Sequence, residues 1–125
     1  MEQAAQSLLL DVERGPDWLL VKLGGATECV DEKSALADTL WCLLGQHFTY
    51  RLLLDCEQLE LLDSTLIGQL LLLERRIRKQ NGLLRLCGLS EPSQQALHHC
   101  RLDGRLPHFS SRDQALLGHR RPRPR

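Results

Sequence analysis

The spacing of apolar positions changes several times along the chain, and each change marks an element. Residues 7–12 and 18–23 are short apolar runs separated by Glu13-Arg14-Gly15-Pro16-Asp17, a turn built on Gly and Pro, and Gly24-Gly25 ends the second run. So short a connection predicts an antiparallel hairpin rather than a crossover. From about Asp31 or Glu32 the spacing becomes helical, with Leu36, Leu40, Leu43, Leu44 and His47 three and four residues apart. Asp31 is the expected N-cap. Residues 50–55 form a continuous apolar run, the mark of a strand covered on both faces.

A second helix is expected over 64–80, stopped by Asn81-Gly82, and residues 83–87 read as the next buried strand. Ser90-Glu91-Pro92 opens a third helix with a serine cap, an acid in the first turn and a proline whose missing N–H does no harm there. That helix should run to about Cys100, with Gly104 beyond it. Residues 106–109 suit a brief edge strand, since Pro107 removes a ladder donor. Ser110 or Ser111 then caps a short helix through Leu117. The order β-β-α-β-α-β-α-(β)-α predicts an α/β fold with a mixed, mainly parallel β-sheet flanked by four helices. No internal repeat is visible.

Composition narrows the picture. At 125 residues, the chain is long enough for one ordinary core. Residues 1–117 are expected to form a single domain, and 118–125 a disordered basic tail. Sixteen basic residues balance sixteen acidic ones, but the tail holds four arginines and no acid. Removing those four leaves twelve basic against sixteen acidic side chains in residues 1–117. A mildly acidic body argues against nucleic acid as the main partner. The five cysteines, Cys29, Cys42, Cys56, Cys87 and Cys100, form no C-x-x-C pair and read as reduced core residues of a cytoplasmic protein. The N-terminus lacks the positive region of a signal peptide, and no apolar run approaches a bilayer span. A cytoplasmic protein without stable membrane insertion is expected.

The candidate chemistry lies where the third apolar run meets the second helix. Arg51-Leu52-Leu53-Leu54-Asp55 leads through an acidic loop to Leu62-Asp63-Ser64-Thr65-Leu66-Ile67-Gly68. This delivers a serine to the first turn of an apolar helix, at the positive end of its dipole. At 100° per residue, Leu66, Ile67, Leu70, Leu73, Glu74 and Ile77 share one side and Thr65, Gly68, Gln69, Leu72, Arg75, Arg76 and Lys79 the other. Leu72 is a large apolar residue on the polar side, with Leu71 at the boundary. Beside Ser64, Gly68 and Arg75, the two leucines suit the centre of a docking patch. The plainer reading is that Asp63 or Ser64 merely caps the helix and that one exposed leucine is ordinary.

These residues, with Leu83-Leu84-Arg85-Leu86-Cys87-Gly88-Leu89-Ser90 and Ser110-Ser111-Arg112-Asp113-Gln114-Ala115-Leu116, resemble the STAS domain of anti-sigma factor antagonists. The likeness covers about residues 7–117, and Asp-Ser-Thr-x-x-Gly at this spacing is its most specific element. The resemblance implies partner switching. The unphosphorylated domain would bind an anti-sigma factor that is also a serine/threonine kinase and so free the sigma factor. Phosphorylation of Ser64 would end binding, and a phosphatase would reset it. Asp63, Thr65, Gly68, Leu71, Leu72 and Arg75 would lie at or near the kinase contact. Two positions depart from the family pattern. Leu66 stands where many members have glycine, and Gly25-Ala26-Thr27-Glu28 stands where the loop often reads Gly-Glu-Leu-Asp.

The alternative within the same resemblance is a non-phosphorylated adaptor subunit of a phospholipid-transport ABC system, clamping its ATPase through the same helix. An enzyme is disfavoured, since no histidine is placed to pair with Ser64 and no Gly-rich phosphate loop is present. No catalytic residue, cofactor or metal is expected. His98, His99 and Cys100 are consecutive and point about 100° apart on a helix, so they cannot converge on one ion. The basic tail suits a solvated terminus or a contact with acidic lipid or nucleic acid.

Overall fold

The computed structural model describes residues 9–15, 17–24, 34–59 and 62–117. Five strands form one sheet: β1 (Leu9–Arg14), β2 (Leu19–Gly24), β3 (Arg51–Asp55), β4 (Leu83–Cys87) and β5 (His108–Phe109). Four helices accompany them: α1 (Leu36–Gln46), α2 (Ser64–Lys79), α3 (Glu91–His99) and α4 (Arg112–Leu117). Strand order across the sheet follows the chain, β1-β2-β3-β4-β5. The β1–β2 pair is antiparallel and every other pair is parallel. This is the mixed, mainly parallel sheet with four helices that the pattern predicts.

Alternation within the strands builds two unequal cores. Leu19, Val21, Leu23, Leu52, Leu54, Leu84 and Leu86 face α1, α2 and α3 and join Leu36, Leu40, Leu44, Leu66, Leu70, Leu73, Ile77 and Leu97 in the main core. The other face is smaller: Trp18, Leu20, Leu53 and Cys87 pack with Ala115 of α4, and Phe109 and Leu116 border them. The Arg85 guanidinium lies over the Trp18 and Phe109 rings at 5.0 and 5.7 Å and donates to Ala115 O at 2.8 Å, so a cation closes this core. The continuous apolar run of β3 is thus explained, because its alternate residues serve different cores. In the main core, truncating a fully buried leucine such as Leu70 should cost about 2–5 kcal/mol.

Several expectations need correction. β1 extends to Arg14, so Glu13 and Arg14 belong to the strand and not to the turn. Gly15 N donates to Trp18 O at 2.8 Å and closes a tighter hairpin. Cys56 and Cys87 are buried, but Cys42 and Cys100 are exposed. Cys42 lies on α1 away from its Leu36–Leu40–Leu44 stripe, and Cys100 follows the last turn of α3. The expected cap Asp31, the loop 25–28, Cys29 and the tail 118–125 lie outside the described residues.

Candidate functional site

In a run of parallel strands joined by helices, the strands finish where the next helices begin. Asp55 ends β3 at that edge, and α2 starts nine residues later at Ser64. What holds Ser64 in place is therefore the connecting loop. Cys56 N donates to Cys87 O at 2.8 Å, continuing the β3–β4 pairing one step past the strand, and Leu59 N donates to Cys56 O at 3.1 Å. Leu59 and Leu62 are buried in the main core and anchor the loop from below. The amide of Leu62 donates to Ser93 Oγ at 2.9 Å, and Ser93 is wholly buried. Ser93 also lies 2.9 Å from Ser90 Oγ, the cap of α3. The entry to α2 is thus fastened to the entry of α3.

Of the two possible caps, Asp63 takes the role. Its backbone is extended and its Oδ1 accepts from Leu66 N at 2.9 Å, while its carbonyl accepts from Ile67 N at 2.9 Å. That assignment leaves Ser64 as the first helical residue, exposed, with no side-chain hydrogen bond among the described residues. A hydroxyl in that position is open to a partner, and the helix terminus beneath it favours an added anion.

The faces of α2 divide as the 100° spacing predicts. Leu66, Ile67, Leu70, Leu73 and Ile77 are buried, and Glu74 is held by Arg78 at 3.3 Å and Arg105 at 3.4 Å. Gly68, Leu72 and Arg75 are exposed, Leu72 by 50%, while Thr65 and Leu71 are half-buried. Ser64, Gly68, Leu71, Leu72 and Arg75 therefore run along one accessible strip of helix. Open space surrounds Gly68: a Cβ built there would meet nothing within 4 Å. Its glycine is not required by the fold and leaves the strip low beside Ser64.

Two residues of this region escape sequence reasoning. Gln69, which falls on the polar side, accepts from Ala37 N at 2.9 Å and so satisfies an amide at the start of α1. Ser93 is the other, as above. Both act across gaps of about thirty residues, where spacing along a single element gives no signal. Behind the site, Asp55 accepts from Glu57 N at 3.1 Å and stands 3.7 Å from Arg112 Nε. Burial, with the Asp55 carboxylate close by, pushes the Cys87 thiol up to about 11. Burial raises Cys56 further, with Cys87 and Asp55 adding to it, so neither thiol is a nucleophile at neutral pH. His98, at the far end of α3, faces Asp103 at 3.2 Å.

The fold and site together define a small α/β domain with an exposed serine on a helix entry, held by a capped and pinned loop. The STAS domain model matches residues 7–115, and the chain belongs to that family. Among solved structures, an anti-sigma factor antagonist from Mycobacterium paratuberculosis is similar at 20% identity and TM-score 0.74, over 90% of this chain and 93% of that one. An anti-sigma-factor antagonist (STAS) domain protein from Planctomyces limnophilus is similar at 24% identity and TM-score 0.72, over 86% and 95%. The Bacillus cell fate determinant SpoIIAA in its phosphorylated form is similar at 17% identity and TM-score 0.62, over 86% and 96%. No curated protein sequence matches the chain. Among the described residues, no helix is long and apolar enough to cross a membrane.

Proposed function

We propose that this protein is an anti-sigma factor antagonist that works by partner switching, with Ser64 as the phosphoacceptor. The unphosphorylated domain binds an anti-sigma factor that is also a serine/threonine kinase, and the sigma factor is released. Phosphorylation ends the complex, and a phosphatase restores it. The observation that carries this reading is the exposure of Ser64 at the first position of α2, with capping left to Asp63. A serine that caps its own helix would give up a structural bond when modified, but Ser64 has none among the described residues to lose.

The contact consists of Asp63, Thr65, Gly68, Leu71, Leu72 and Arg75, with the half-exposed Leu72 as its apolar centre. Phosphate adds about −1.5 to −2 charges at its edge. Helix N-terminal amides tolerate that charge, so the domain stays folded while the partner meets an anion. A penalty of about 3 kcal/mol weakens binding roughly a hundredfold. A second reading, a fixed adaptor clamping a transporter ATPase, draws on the same Leu71–Leu72 strip and needs no phosphate.

Capture from the source cell's lysate with wild-type, Ser64→Ala and Ser64→Asp baits tests the proposal. A serine kinase held by wild type and Ser64→Ala but lost with Ser64→Asp supports the switch. A transporter ATPase held by wild type and Ser64→Ala, with no phosphate on Ser64 in the native protein, would falsify it in favour of the adaptor.

A further inference from the structure

At the end of the molecule opposite Ser64, α1, α2 and α3 all stop in the same way. Each is followed by a residue in the left-handed conformation: Phe48 (φ 55°), Asn81 (φ 59°) and Arg101 (φ 59°). In each case two amides fold back onto the last turn. Phe48 N donates to Gly45 O and Thr49 N to Leu44 O, at 3.3 and 3.2 Å. Asn81 N and Gly82 N donate to Arg78 O and Ile77 O, and Arg101 N and Leu102 N to His98 O and Leu97 O. This Schellman arrangement ordinarily places glycine or asparagine at the left-handed position. α2 conforms, but α1 places a phenylalanine there and leaves it 91% exposed. One exposed apolar side chain is commonplace. A phenylalanine that is also held in a disfavoured backbone conformation is not explained by the fold.

A shallow cavity of about 420 Å³ is lined by Arg14, Asp17, Phe48, Tyr50 and Arg51, among others. The charged side chains lining the cavity at Phe48 are two arginines and one aspartate. Arg14 Nη1 donates to His47 O at 2.6 Å and braces the turn that presents Phe48. Arg51 is exposed and has no ion pair among the described residues, and Lys79 closes α2 beside the same lining.

We infer that this end is a docking face for an anionic lipid surface. Phe48 enters the headgroup boundary, and Arg14, Arg51 and Lys79 meet the lipid phosphates. Each cation near an anionic surface adds about 1 kcal/mol, and a buried aromatic adds apolar area, so the contact is weak, reversible and salt-sensitive. A single-stranded nucleic acid fits less well, since it stacks successive bases on several aromatic faces along a groove. Phe48 is the one exposed aromatic among the described residues. The inference is independent of Ser64 and of any protein partner.

Cosedimentation tests it, using vesicles of phosphatidylcholine alone or with about a third phosphatidylglycerol. Wild type should pellet with the anionic vesicles at low salt, not with neutral ones, and should be released at about 0.5 M salt. Arg51→Gln should lower the partition coefficient about fivefold. Phe48→Asn, which suits the left-handed backbone, should lower it about tenfold while the protein stays folded by circular dichroism. Three outcomes overturn the inference: no binding to anionic vesicles, binding unchanged in both variants, or binding to oligo-dT in place of vesicles.

Discussion

The two ends of this domain are built from the same helices and strands but carry opposite chemistry. Where the parallel strands finish and the helices begin, the side chains are mostly acidic or hydroxylic: Asp55, Glu57, Asp63, Ser64, Ser90 and Glu91. Where the helices finish, Arg14, Arg51, Lys79 and Arg101 outnumber Asp17 and Asp103, and Phe48 protrudes among them. Helix dipoles favour this division at both ends, since anions suit N-termini and cations suit C-termini. Both ends obey that preference, so the charge separation stabilises the fold and divides the surface at once. The two proposed activities, phosphorylation at the acidic end and contact with an anionic surface at the basic end, would then not interfere.

The largest expected effect separates the two ends outright. Ser64→Asp should weaken capture of the kinase partner about a hundredfold and leave vesicle partitioning within about twofold, whereas Phe48→Asn should lower vesicle partitioning about tenfold and leave kinase capture within about twofold. Binding assays on the same three proteins check this. Loss of both activities in either variant would show that the ends are coupled.

The next effect falls on the fold at the basic end. Gly82 packs so closely that an added Cβ would land on the Tyr50 carbonyl oxygen and lie 2.7 Å from Tyr50 Cβ and 2.9 Å from Ile77 Cγ2. Because the obstacle includes backbone, Gly82→Ala should destabilise by about 3 kcal/mol, read from the urea midpoint. At the acidic end the matching change is Ser93→Ala. It strands the buried Leu62 amide and should cost about 1–3 kcal/mol, with faster hydrogen exchange at Leu62. Removing the α2 cap with Asp63→Ala should cost about 1 kcal/mol. If Ser93→Ala abolishes partner capture while the domain remains folded, the pinned loop matters to docking as well as to stability.

These residues also show how much was legible beforehand. The α2 entry could be read because capping is local: Asp63, Ser64 and the buried Leu66 lie within one turn, and the sequence left open only which side chain caps. The face of α2 could be read because helical spacing is regular. The antiparallel hairpin and the mainly parallel sheet followed from short connections and continuous apolar runs, whereas the order of strands across the sheet came from the structure alone. Ser93 and Gln69 were invisible, because their partners Leu62 and Ala37 lie 31 and 32 residues away. Cys42 and Cys100 were misassigned because an apolar neighbourhood in sequence was taken for a buried one in space. Asn81-Gly82 announced the end of α2, whereas Phe48 and Arg101 adopt the same geometry without the residue types that advertise it.

That last contrast yields the smallest prediction and the sharpest test of why Phe48 is there. A left-handed backbone costs a non-glycine residue about 1 kcal/mol, and asparagine tolerates it better than most. The Phe48 side chain, being exposed, contributes little packing to offset that cost. Phe48→Asn should therefore raise stability by about 0.5 kcal/mol, seen as a higher urea midpoint at unchanged slope. The sign is the point, since most substitutions destabilise. A gain would mean that the fold is better without this phenylalanine and that its place is explained by what it touches outside the domain. A loss would mean that the ring packs on its own turn, and the left-handed phenylalanine would then be explained within the fold.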